Sequence, residues 1–156
     1  MKFYGIDPGK KGGVAKIDDA GALIYAVPMP LQPDKQLDVP ALSRLLDFTE
    51  RSHYALERAQ PMPRQGISST SKYMTDYGRI RGVIESRTPV EFIHLVRPQV
   101  WKAILETGRD KQGAIDLVER IYPDFNLILP GRRVRSDGLA DSICIALWCR
   151  HAHRSV

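Results

Sequence analysis

The order in which the hydrophobic periodicity changes along the chain narrows its fold more than any other feature. Residues 2–7, 13–17 and 22–27 are three short extended runs separated by Gly- or Asp-rich turns. From there, helical and extended patterns alternate. Asp38, with Pro40 just behind it, opens a helix through Leu42, Leu45, Leu46 and Phe48, and 53–57 is a fourth strand. Residues 58–70 hold two prolines, a glycine and a Ser/Thr run, which predicts a flexible surface loop. A long helix over 71–87 and a fifth strand over 90–96 follow. Pro98 starts a short helix through Trp101 and Leu105, and a second helix covers 112–121. A basic loop over 123–136 leads to a last helix from 137 to about 151. Hairpins first, then strands interleaved with helices, make an α/β fold: a mixed five-stranded sheet with helices on both faces.

No repeat, linker or second pattern interrupts this order, so the expectation is a single domain over 1–156, long enough for one substantial core. No apolar run approaches the length that crosses a bilayer, and Met1-Lys2-Phe3-Tyr4 does not open a signal peptide. Cys144 and Cys149 fall on different faces of a helix, which argues against a disulfide or a metal pair. A reduced, cytoplasmic protein without a membrane partner is expected. The net charge of +5 and pI near 9.4 favour a polyanionic partner. The Lys and Arg clusters at Arg79/Arg81, Lys102, Arg109/Lys111 and Arg132/Arg133/Arg135 alternate along the chain with acids that have no obvious structural need.

Those acids carry the chemistry. Asp7 ends the first strand, and Pro8-Gly9 turns the chain sharply behind it. Gly12 and Gly13 open the second strand, where another backbone can approach closely. Glu57 ends Tyr54-Ala55-Leu56, a strand apolar enough to be central, where an uncompensated charge is costly. An acid that caps the next turn explains Asp7 alone equally well. Asp137 and Asp141, one turn apart, stack on one face of the last helix. N-capping accounts for Asp137. It does not account for Asp141, which runs straight into Ser142-Ile143-Cys144-Ile145-Ala146-Leu147-Trp148. Acids of this kind, brought together, repel one another unless cations bind between them, and hard oxygen donors suit Mg2+ or Mn2+. Trp101 and Trp148 stand at helical spacing and read as core, and His151 and His153 read as solvated tail.

Four of these stretches resemble a family, the RuvC-like Holliday junction resolvases of the RNase H-like superfamily. Gly5-Ile6-Asp7-Pro8-Gly9 resembles its opening strand motif, and Leu56-Glu57 before a loop resembles its second acid. Tyr77-Gly78-Arg79-Ile80-Arg81-Gly82-Val83-Ile84 is similar to its long helix, and Asp137-Gly138-Leu139-Ala140-Asp141-Ser142 to its closing acidic helix. Pro98 and Lys111 stand where the family has a proline-led helix and a basic residue facing DNA. The stretches occur in the family's order and span nearly the whole chain. There is one departure. Bacterial housekeeping members space the last two ligands three apart, which would put the earlier one at Gly138. The four-residue spacing here is similar to the mitochondrial, poxviral and phage branches.

The resemblance implies an RNase H-like fold and a magnesium-dependent endonuclease that resolves four-way DNA junctions by paired nicks. Asp7, Glu57, Asp137 and Asp141 would hold two Mg2+ ions per active site, with Mn2+ as a substitute. Lys111 would stabilise charge on the phosphate or contact the backbone. Further contacts with DNA are expected at Lys72, Arg79, Arg81 and Lys102, at Arg132, Arg133 and Arg135, and at Arg64 in the loop. Met62, flanked by prolines, is a candidate wedge between bases or a residue packed under its own loop. Gly78 and Gly82 share a helix face near the family's two-fold contact, so a homodimer is implied. Three rival readings remain. A sugar-kinase-like ATPase would need a second subdomain for its nucleotide, so no nucleotide cofactor is expected. A related nuclease for other branched DNA or RNA–DNA hybrids, and a non-catalytic DNA-binding module, are the others.

Overall fold

The computed structural model describes residues 1–59 and 66–155. β1 (Lys2–Asp7), β2 (Gly13–Asp18) and β3 (Leu23–Pro28) pair antiparallel in succession. β4 (Ser52–Glu57) and β5 (Ile93–Val96) add in parallel on the other side of β1, which gives the order β3-β2-β1-β4-β5. A parallel pair needs a crossover, and α2 (Ile67–Glu85) supplies it between β4 and β5. α1 (Val39–Leu45) precedes β4, capped by Asp38, whose side chain accepts from the Ala41 N–H at 2.9 Å.

Strand alternation decides which side chains meet. Phe3 partners His53 and Gly5 partners Ala55 across β1 and β4. One residue beyond the last pair, Ile6 and Leu56, both strands end in an acid. This face carries α3 (Pro98–Ile104), α4 (Gln112–Ile121) and α5 (Asp137–Arg154), over a core of Phe3, Ala15, Ile17, Ala55, Trp101, Val118, Ile143 and Ala146. The intervening residues, Tyr4, Ile6, Val14, Tyr54 and Leu56, point the other way and pack with Leu42, Leu46, Ile80 and Ile84 of the α1 and α2 region. α5 runs directly over β1. A Cβ on Gly5 would fall 2.1 Å from the Ser142 carbonyl oxygen, so only glycine admits the helix at this depth.

Three local expectations are corrected. α2 begins at Ile67 rather than 71, with Gly66 as its N-cap, and residues 60–65 of the predicted flexible loop lie outside the described residues. Ser68, Ser69 and Thr70 carry only a small helix penalty, which the rest of a 19-residue helix outweighs. Residues Val90–Phe92 form a 3-10 turn behind Pro89, and β5 starts only at Ile93. Ser136, not Asp137, caps α5: its hydroxyl accepts from the Leu139 N–H at 3.2 Å. Asp137 is thereby the first helical residue, and its carboxylate is free for another partner.

Candidate active site

The acidic ends of β1 and β4 face the N-terminus of α5. Asp7 Oδ1 accepts from the Gly9 N–H at 3.2 Å, and the turn folds back so tightly that a Cβ on Gly12 would lie 2.8 Å from Asp7 Cγ. Burial pushes the Asp7 carboxyl up to about 7, helped by the charges of Glu57 and Asp137 and opposed by the Gly9 N–H and Lys111. Glu57 is raised by burial too. The Trp101 indole, whose Nε1 donates to Glu57 Oε2 at 2.7 Å, opposes that rise.

α5 brings in the other two acids. A Cβ on Gly138 would fall 1.9 Å from the Lys11 carbonyl oxygen and 2.7 Å from Gly12 Cα, so the helix start is wedged against the β1–β2 turn. Asp141 is pushed up to about 6, first by burial and then by the charge of Asp7. Among the described residues, its buried Oδ1 has no hydrogen-bond partner. Asp137 pairs with the Lys111 ammonium, and that bond holds its carboxyl below the usual range.

The five candidate catalytic residues, Asp7, Glu57, Asp137, Asp141 and Lys111, thus share one electrostatic neighbourhood. Among the described residues, no three Asp, Glu, His or Cys side chains stand close enough to grip an ion as they are oriented. Glu57 is engaged by Trp101 and Asp137 by Lys111. The donor set nevertheless fits a hard divalent cation. It offers only carboxylate oxygens, three of its members are pushed toward neutrality by burial and by one another, and one oxygen is without a partner among the described residues.

The candidate DNA contacts fall in several places. Lys102 and Arg109 line a groove of about 690 Å³ along α3 and the loop behind it. Lys102 also eases the charge on Glu57 and Asp141. Lys72 lines a depression of about 340 Å³ between α2 and the β1–β2 turn, with Pro8, Lys10 and Tyr73. Arg79 lies 3.8 Å from Asp76, Arg81 pairs with Glu85, and Arg135 pairs with Glu119, so each of the three already faces a carboxylate. Arg132 and Arg133 are exposed in the loop before α5. Met62 and Arg64 lie outside the described residues. Gly78 and Gly82 sit on an open face of α2, with nothing within 4 Å of a built Cβ.

Three neighbours of the acids escaped the sequence reading. Lys10 had a readable signal, a base directly behind the Pro8-Gly9 turn that follows Asp7. Tyr73 had none. It is half-buried, and burial, then the charges of Asp7 and Glu57, push its hydroxyl up to about 12. Trp101 is core as expected, and is also the donor to Glu57, which no spacing announces.

No protein-family model and no curated protein matches the chain. Solved structures do. One is Thermus thermophilus RuvC in complex with a Holliday junction substrate, with a TM-score of 0.67 and 19% identity, covering 99% of this chain and 95% of that one. Another is a Thermus thermophilus RuvC structure at the same identity and coverage, with a TM-score of 0.63. The chain has the RuvC-like, RNase H-like fold.

Proposed function

We propose that the protein is a divalent-metal-dependent endonuclease that resolves four-way DNA junctions by paired symmetric nicks. One observation carries the reading: four acids from β1, β4 and α5 act on one another at a single end of the sheet, and an oxygen of Asp141 buried there has no partner among the described residues. A module that only binds DNA gains nothing from buried carboxylates facing phosphates. The fold shared with a protein captured on a Holliday junction supports the choice of substrate.

Asp7, Glu57, Asp137 and Asp141 would hold two Mg2+ ions, with Mn2+ as a substitute. Bound there, the ions supply Lewis acidity for hydrolysis of a phosphodiester. The chain's own residues do the remaining work. The Pro8-Gly9 turn and the Gly138 contact keep the acids of strand and helix together. Lys111 offers the phosphate a positive charge at the rim. Lys102 and Arg109 on one face of the sheet, and Lys10 and Lys72 on the other, give the backbone a positive surface on either side of the acids.

The reading extends to a homodimer in the cytoplasm of a bacterium or a phage-infected cell, its two sites matching the two cuts a junction needs. The open glycine face of α2 is the proposed contact. The four-residue acidic spacing, similar to that of the mitochondrial, poxviral and phage branches, is compatible with a position 138 that has no room for a side chain.

The test is cleavage of a labelled four-way junction beside linear duplex, a flap and an RNA–DNA hybrid, with Mg2+ and with EDTA. Paired nicks in the junction that vanish with EDTA are expected. Cutting of flaps or hybrids instead moves the substrate while keeping the chemistry, and no cutting with Mg2+ or Mn2+ sinks the nuclease reading.

A further inference from the structure

We propose that Trp101 is a positioning residue for Glu57, acting through its indole N–H; the proposal rests on the reading of Glu57 as a metal ligand. The Trp101 ring is fully buried in the core between the sheet and α3–α5. Its one polar atom is aimed out of that core at the end of β4, where Nε1 donates to Glu57 Oε2 at 2.7 Å. That is the short end of the ordinary N–H···O range.

The fold does not satisfy indole groups as a rule. Trp148, on the same face, has its buried Nε1 without a partner among the described residues. Satisfying a buried N–H therefore does not by itself explain how Trp101 is turned. The consequence for Glu57 does. A glutamate has three side-chain torsions to settle, and a donor fixed in a packed core removes that freedom. With Oε2 held by the indole, Oε1 is the atom left open to a cation. Lys102, whose ammonium lies 5.2 Å from the Trp101 ring centre, adds charge to the same end. Outer partners of this kind hold metal-ligating carboxylates in place, and their loss costs about 10–100-fold in metal affinity.

The experiment uses the full chain without DNA. Trp101→Phe keeps an aromatic ring in the core and removes the donor together with part of the buried volume, and Trp148→Phe is the control for the loss of volume. Calorimetric titration with Mg2+ and Mn2+ is expected to show affinity at least about tenfold weaker for Trp101→Phe and unchanged for Trp148→Phe, with both variants folded by circular dichroism. In the wild-type protein, the Trp101 indole N–H resonance should move on Mg2+ addition and on Glu57→Gln, while that of Trp148 stays. This second measurement decides alone if Trp101→Phe does not fold. Wild-type protein that binds metal and cuts, with Trp101→Phe equal to it or a Trp101 resonance that ignores Mg2+, overturns the positioning role alone. Wild-type protein that binds no metal overturns the nuclease reading and this role with it.

Discussion

The two ends of α5 rest on the same face of the sheet and handle buried polar groups in opposite ways. At its N-terminal end, Asp7, Glu57 and Asp141 are carboxylates that burial and mutual repulsion push toward neutrality. At its C-terminal end, His53 of β4 and His153 of α5 stand against Phe3, and His94 of β5 stacks on His53. His53 Nδ1 lies 3.0 Å from His94 Nε2, and the His53 ring stacks on Phe3 with centres 5.6 Å apart. A neutral imidazole is donor and acceptor at once, so the rings serve one another. Each end keeps one orphan, Asp141 Oδ1 and His53 Nε2. A neutral nitrogen without a partner costs far less than a charged oxygen. The histidine end is nearly complete from within, whereas the acidic end keeps carboxylates raised by burial and by one another, and perturbed groups of that sort mark functional sites.

The largest expected effects separate the two ends by activity. Asp7→Asn, Glu57→Gln or Asp141→Asn should each lower junction cleavage beyond the roughly 100-fold seen for outer-partner changes, with junction binding kept within a few-fold. His153→Ala at the other end should leave cleavage unchanged. If His153→Ala slows cutting as much as Asp7→Asn does, the division of labour between the ends is wrong.

The ends should also differ in the sign of their pH dependence without metal. Asp7 is raised from 3.8 to about 7, so the fold binds the extra proton between those values. Its stability contribution is full below pH 4 and is lost as pH rises through 7, by at most about 4 kcal/mol. Asp7→Asn should therefore raise the melting temperature at pH 8 in EDTA and change nothing at pH 3.5, and Mg2+ should stabilise wild-type protein only. A lower melting temperature for Asp7→Asn at pH 8 would mean the carboxylate is structural.

His53 runs the other way and with a smaller effect. Burial first, then the charges of His153, His94 and Arg51, hold it down to about 4 from 6.5. Its contribution is full above pH 6.5 and is lost as pH falls through 4. His53→Phe, which keeps the stack on Phe3, should flatten the loss of stability on acidification in a thermal-melt series. An unchanged acid limb would remove the histidines from that transition.

The smallest effects belong to the surface bases. Lys72→Ala should weaken junction binding modestly and lower the salt-dependence slope by about one, with melting unchanged. Arg81→Ala should do less, because Arg81 already faces Glu85. A larger loss for Arg81 than for Lys72 would move the DNA path along α2.

Periodicity along the chain was enough to place all five strands and the five helices in order, because alternation and amphipathic spacing are local properties. It also marked Asp7, Glu57, Asp137 and Asp141, since acids beside apolar runs stand out in one dimension. What it could not give was a boundary set by balance, such as the start of α2 at Ile67 or the cap at Ser136. Nor could it show who meets whom. Glu57 and Trp101 are 44 residues apart, Asp137 and Lys111 26, and only the packing of α3, α4 and α5 on one face brings them into contact. The contrast between the ends is likewise a product of packing. His53 and Glu57 lie four residues apart on one strand, and their opposite roles follow from which end of α5 covers each. Local chemistry supplied the groups; burial, a long-range property, set their charge.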